Sequence, residues 1–152
     1  MSTKPQLVYI ETSMVIAFLK GEEGRVEESK AALFEAEKGH IRAITSALTI
    51  AEVVKVEGGV VIEESERLID DFFVQPWLRV VMVDRRVATK ARHIGRQFNL
   101  KPADAIHVAT AVLYQAQYIY TYDDRILGLS AVLPTLCITY PRGQLYFNFP
   151  VD

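Results

Sequence analysis

Residues Gln6–Leu19 read QLVYIETSMVIAFL: a short apolar, β-branched run up to Ile10, one carboxylate at Glu11, two hydroxyl residues, and an apolar stretch that continues to Lys20. The first part has the composition of a buried strand, and Thr12 or Ser13 can cap a helix over Met14–Lys20. A strand that passes straight into a helix opens a parallel α/β unit. It leaves Glu11 at the carboxyl end of the strand.

The same alternation continues along the chain. Arg25–Lys38 spaces Val26, Ala32, Leu33 and Ala36 among charges at helical intervals, and Gly39 closes it. Ile41–Ile44 reads as a second strand, after which Thr45 or Ser46 starts the helix that carries Glu52. Ile62–Phe73 is amphipathic and stops before Pro76. Leu78–Val83 is apolar apart from Arg79, as a buried parallel strand should be. Asp84 caps a helix over Arg85–Phe98, Pro102 begins one that runs through Ala103–Gln115, and Tyr118–Thr121 and Leu136–Thr139 are the last strands. Strands alternating with helices predict an α/β fold: a three-layer sandwich with a central, mostly parallel sheet and helices on both faces. In such sheets functional groups gather at the carboxyl ends of the strands.

Composition sets the outer bounds. With 152 residues, 50% of them apolar and 24% charged, the chain is expected to fold as one domain, residues 1–152, without staples. No internal repeat or linker interrupts it, and Gly58 and Gly59 read as a turn. Cys137 has no partner for a disulfide and is expected to be a small core residue in a reducing compartment. MSTKPQ has no apolar signal core, and the apolar run Ala105–Tyr120 is broken by His107, Gln115 and Gln117. The expected location is the cytoplasm, away from membranes. A net charge of −2 argues against a protein that coats nucleic acid through a broad basic surface, while leaving room for a local basic rim around an acidic centre.

Four carboxylates carry the chemistry: Glu11, Glu52 in TSALTIAEVVKV, Asp104 in KPADAIHVATA and Asp123 in IYTYDDRIL. Each sits where a strand or helix end would present it. Gathered by folding, they make a hard, oxygen-lined, negative pocket, whose natural occupant is Mg²⁺ or Mn²⁺. Such a pocket suits phosphate chemistry. Acids that fix hard cations allow the scissile phosphate to be neutralised and a bound water to be activated for in-line attack, with no covalent nucleophile.

Taken in order, these segments resemble the PIN domain, above all the single-domain VapC-type toxin ribonucleases. The family opens on an apolar strand followed by D-T/S-S/N and a small apolar helix. YIETSMVIAFL matches this with Glu11 in place of the usual Asp. TSALTIAEVVKV matches the helical Glu after T/S-x-x-T/S, ADAIHVATA the D-A-hydrophobic helix start, and TYDDRIL the T-x-D that follows a strand. The resemblance spans nearly the whole chain. It implies a metal-dependent endoribonuclease using Mg²⁺ or Mn²⁺, paired with a small antitoxin and commonly homodimeric. It implies Glu11, Asp104 and Asp123 as metal ligands, Glu52 completing the cage or orienting the attacking water, and Thr12 and Thr121 supporting the ligands with their hydroxyls. Arg125, one turn from Asp123, is a candidate phosphate contact or a structural partner of the acids. The extra methylene of Glu11 moves its carboxylate away from the strand end, so metal, water or backbone must adjust. The competing reading is a catalytically weak PIN-like module that binds RNA or protein.

Other residues carry plainer roles. Asp84 reads as a cap, Asp124 as a first-turn helix acid, and EGRVEE and EESE as solvated faces. His107, three residues after Asp104, reads as a hydrogen-bonded histidine near the core rather than a ligand. His40 and His93 read as surface residues. Arg85, Arg92 and Arg96, with Lys90 alongside, share a basic helix face. QLYFNFP reads as a packed strand. A phosphotransfer receiver is disfavoured because Glu11 cannot be the phosphorylated Asp, and P-loop and dinucleotide glycine patterns are absent.

Overall fold

Strand β1 (Gln6–Ile10) lies at the middle of a five-stranded sheet and pairs in parallel with β2 (Ile41–Ser46) on one side and β4 (Tyr118–Tyr120) on the other. The computed structural model describes residues 4–54 and 63–143. Beyond β2 lies β3 (Leu78–Val81), and beyond β4 lies β5 (Cys137–Thr139), giving the order β3-β2-β1-β4-β5 with every pair parallel. The winding reverses between β1 and β4. That reversal opens a crevice above the carboxyl ends of these two strands, where α/β proteins place their ligands.

Alternation along the strands divides the interior into two cores. Val8, Ile10, Ala43 and Tyr120 face α1 (Thr12–Lys20), α2 (Val26–Glu37) and α4 (Glu63–Phe73), meeting Met14, Val15, Leu33, Ile69 and Phe72. Tyr9, Ile44, Ile119 and Ile138 face the other way, onto α5 (Arg85–Phe98), α6 (Pro102–Leu113) and the short α7 (Asp124–Leu127). A period of two in the strands thus feeds both helical layers. The three-layer α/β sandwich expected from the sequence is the fold observed.

Most element boundaries fall where the sequence pattern puts them, and the differences have local causes. Helix α1 begins at Thr12, because Glu11 itself serves as N-cap by accepting from the Ser13 backbone N–H. Strand β3 ends at Val81, two residues short of the apolar run. Helix α6 stops at Leu113, and Gln115 turns with φ of 58°. Gly39, at φ of 79°, follows the C-cap Lys38 and lets the His40 N–H return to the Glu35 carbonyl. Cys137 is exposed, against expectation: in β5 its neighbours Leu136 and Ile138 take the core-facing positions. The turn at Gly58 and Gly59 and the segment QLYFNFP lie outside the described residues. Among the described residues, no helix is long and apolar enough to cross a membrane.

Ile119, fully buried in β4 between two paired strands, has no room to relax. Ile119→Ala is expected to cost about 2–5 kcal/mol, read as a fall in the urea midpoint at unchanged m-value.

Candidate metal-binding acidic site

Glu11 is the first residue past β1, and its backbone N–H bonds the carbonyl of Tyr120, the last residue of β4. The two strand ends are thereby locked together at the reversal. The Glu11 side chain folds back over this junction: Oε1 accepts from the Ser13 N–H at 3.0 Å, from the Ser13 hydroxyl, and from the Thr121 hydroxyl at 2.6 Å. Despite its added methylene, this carboxylate folds back far enough to cap its own helix. Oε2 points the other way, 3.9 Å from Nε2 of His107.

The other three acids arrive from separate helices. Glu52 ends α3 (Ala47–Glu52), which Ser46 caps, and its Oε1 accepts from the Thr12 hydroxyl at 2.7 Å and lies 2.6 Å from Nε2 of His107. Asp104 stands in the first turn of α6, its side chain nearly buried. Asp123 is the N-cap of α7, accepting from the Arg125 N–H at 2.9 Å, while its own N–H bonds the Thr121 hydroxyl. Arg125 spans the last two acids, with Nε 3.4 Å from Asp104 Oδ2 and Nη2 3.3 Å from Asp123 Oδ2. Asp124 is exposed, as the sequence suggests.

The acids feel one another. Burial, and next the neighbouring Asp123 charge, raise the pKa of Asp104 above the ordinary carboxylate value. Burial works against ionisation of Asp123 too, but hydrogen bonds from the Arg125 side chain and backbone outweigh it and leave its pKa lowered. The pKa of Glu52 is lowered chiefly by its hydrogen bond with His107. One ionised, well-partnered acid thus faces another that resists ionisation.

Beneath the carboxylates lies a polar layer that the sequence does not announce. His107 is buried, with Nδ1 2.6 Å from the Tyr9 hydroxyl and Nε2 directed at Glu52. Burial, above all, raises the pKa of Tyr9 far above its usual value and keeps its O–H protonated. A carboxylate can only accept, so the N–H of His107 belongs on Nε2 and Tyr9 donates to Nδ1. The histidine is packed and hydrogen-bonded, as read from AIHVATA, but it also ties the core to the acids. Nothing in QLVYI sets Tyr9 apart from an ordinary strand residue. The available signals were spacings: Tyr9 shares a strand face with Glu11, and His107 a helix face with Asp104.

The donor chemistry suits a hard cation. Asp104 Oδ2 is buried, has no hydrogen-bond donor, and meets only the Arg125 guanidinium as an ion pair. An anionic oxygen left so is costly without a cation. Among the described residues, however, no three His, Cys, Asp or Glu side chains stand as a ready ligand set. The cause is visible in the contacts: Glu11 Oε1 and Glu52 Oε1 are committed to protein donors, and Arg125 occupies the space between Asp104 and Asp123. A groove of about 950 Å³ opens elsewhere, at the amino ends of the strands beside Leu7, Ile41, Arg79 and Gln117, and none of the four acids lines it.

A parallel α/β sheet with carboxylates gathered at its point of reversal defines a class of acidic-site domains. The PIN domain model matches residues 8–131, and the chain belongs to the PIN domain family. Comparison with curated protein sequences gives no match. Among solved structures the chain is similar to VapC20 of Mycobacterium tuberculosis, described as a sarcin-ricin loop cleaving toxin. That match has a TM-score of 0.66 at 14% identity and covers 80% of this chain and 93% of the other. It is similar also to a toxin-antitoxin complex from Klebsiella pneumoniae, with a TM-score of 0.61 at 17% identity over 88% of this chain and 97% of that one. FitAcB from Neisseria gonorrhoeae gives the same values.

The raised pKa of Asp104 fixes the sign of a stability test. Its folded form holds a proton more tightly than its unfolded form, so the ionised side chain destabilises the metal-free protein once pH exceeds that pKa. In EDTA at pH 7, Asp104→Asn is expected to raise Tm, read by circular dichroism melting. The gain should shrink as pH falls into the carboxylate range, where the parent residue takes up its proton.

Proposed function

We propose that this protein is a divalent-metal-dependent endoribonuclease, the toxin of a toxin–antitoxin pair. The observation that carries the reading is the convergence of Glu11, Glu52, Asp104 and Asp123 at the β1/β4 reversal, with Asp104 Oδ2 buried and without a donor. Membership of the PIN family supports it. So do neighbours described as toxins, one of them cleaving the sarcin-ricin loop.

Asp104, Asp123 and Glu11 Oε2 would hold Mg²⁺ or Mn²⁺, with Glu52 closing the cage. Bound there, such a cation would supply charge neutralisation at a phosphodiester and activation of a water. Around it the chain's own groups have defined tasks. Thr121 and Ser13 hold Oε1 of Glu11, which turns Oε2 toward the pocket. Thr12 and His107 fix Glu52 as an ionised acceptor, suited to orient a water. Arg125, with its side chain 58% exposed, pairs with Asp104 and Asp123 and would be within reach of a substrate phosphate at the same acids. The partners in this reading are an RNA substrate, a small antitoxin and a second copy of the chain, in the cytoplasm.

A second reading has its own observation. Glu11 and Glu52 are committed to protein donors and Arg125 fills the acid pair, so a PIN-like module that binds RNA or protein without cleaving it would look the same in the absence of metal.

Calorimetric titration of Mn²⁺ separates the two. The nuclease reading expects one saturable site in the parent, preserved or strengthened in Glu11→Asp, largely lost in Glu11→Gln, and tightened severalfold in Arg125→Ala because a competing positive charge is gone. Asp104→Asn and Asp123→Asn should keep the fold and reduce Mn²⁺-dependent RNA cleavage by at least about 100-fold. Featureless titrations throughout would leave the binding module standing.

A further inference from the structure

The stretch from Arg85 to Lys101 holds six of the chain's 17 Lys and Arg and none of its 19 Asp and Glu. A chain of net charge −2 therefore concentrates positive charge on α5 and the turn after it. Val87, Ala91 and Ile94 face the core, and Arg85, Arg92 and Arg96, spaced seven and four residues apart, stand on the opposite, exposed face. The helix dipole does not explain the pattern, since it favours cations only in the last turn. Nor does pairing: none of the six joins the ion pairs found among the described residues. The charges are left for a partner outside the chain.

Position and shape indicate which partner. Helix α5 packs along α6, and Gly95 near its end lies against Ala105, the neighbour of Asp104. The basic face thus begins beside the helix that carries the acidic centre. Arg85 to Arg96 spans about 16 Å of helix, long enough to run beside several successive phosphates. The exposed face offers Arg, Thr89, His93 and Gln97, with no large apolar side chain of the kind that anchors a protein–protein interface. Guanidinium groups match phosphate oxygens in geometry as well as charge.

We propose that the outer face of α5 is the docking surface for the phosphate backbone of a single-stranded RNA, which it leads toward the acids at the head of α6. The proposal rests on the ribonuclease reading for the identity of the polymer, and it adds where the strand lies. Contacts of this type hold backbone and fix register without reading sequence, so the face sets affinity rather than cleavage site.

The test is fluorescence anisotropy of the full chain with a labelled, mixed-sequence single-stranded RNA in EDTA, which removes cleavage from the measurement. Arg85→Ala/Arg92→Ala/Arg96→Ala is expected to weaken binding about 10- to 100-fold and to flatten the dependence of log affinity on log salt by about 2. Lys30→Ala/Lys38→Ala/Arg42→Ala, which removes the same charge elsewhere, should stay within a few-fold of the parent, and the triple Arg→Lys variant of the α5 residues should keep the parent's salt slope. Circular dichroism melting checks that each variant folds. Equal affinity and salt slope in the triple Ala variant and the parent would overturn the proposal. So would a parent that ignores RNA but binds polyglutamate through these arginines, the mark of an acidic protein partner. A parent that binds RNA through α5 yet takes up no Mn²⁺ would leave this surface intact while removing the nuclease reading.

Discussion

The site hangs on one joint. The Glu11 N–H bonds the Tyr120 carbonyl, and the Thr121 hydroxyl bonds the Glu11 carboxylate, so two points 110 residues apart in sequence are fixed within one hydrogen bond of each other. Everything acidic is placed relative to this joint: Ser13 and Thr12 follow Glu11 into α1, and Asp123 follows Thr121 into α7. Parallel pairing makes it possible, because only parallel strands bring successive carboxyl ends to the same edge. The long crossover through α5 and α6 then drops Asp104 into the same crevice.

The energetic logic of the crevice is opposed to that of the cores on either side. Both cores are apolar and closely packed, whereas the crevice holds acids that raise one another's cost of ionisation. Hydroxyls, one histidine and one arginine keep this tolerable by giving Oε1 of Glu11, Oε1 of Glu52 and both oxygens of Asp123 a donor. Asp104 Oδ2, fully buried, has no hydrogen bond and only the Arg125 ion pair. Stability is thus surrendered at the place where binding energy would be recovered.

Much of this was legible in the chain, and what was not has physical reasons. Strand β1 and helix α5 match the pattern residue for residue, because β-branched runs and a charge-flanked amphipathic period each admit one reading. The positions of the four acids follow from strand and helix ends. The use of Glu11 as a cap was not legible, since the long side chain of Glu seldom plays that part and Thr12 and Ser13 offered the ordinary choice. Cys137 was misread because an apolar run of the type LPTLCITY does not say which alternate residues turn inward. His107 was read as packed, and its bond to Glu52 joins residues 55 apart, a distance that only the tertiary fold supplies. The disposition of Arg125 between two acids, too, needed the geometry of α7.

Both ends of the sheet are short: β5 has three residues and β3 four, and β3 carries the exposed Arg79. A sheet edge offers unpaired backbone groups to any similar edge it meets, and long flat edges seed fibrils. Here an incoming strand would find only a few registered bonds at either margin before the ladder ran out, with the exposed charge of Arg79 to contend with on one side. Among the described residues, neither margin of the sheet therefore offers a long template for the addition of a neighbouring strand.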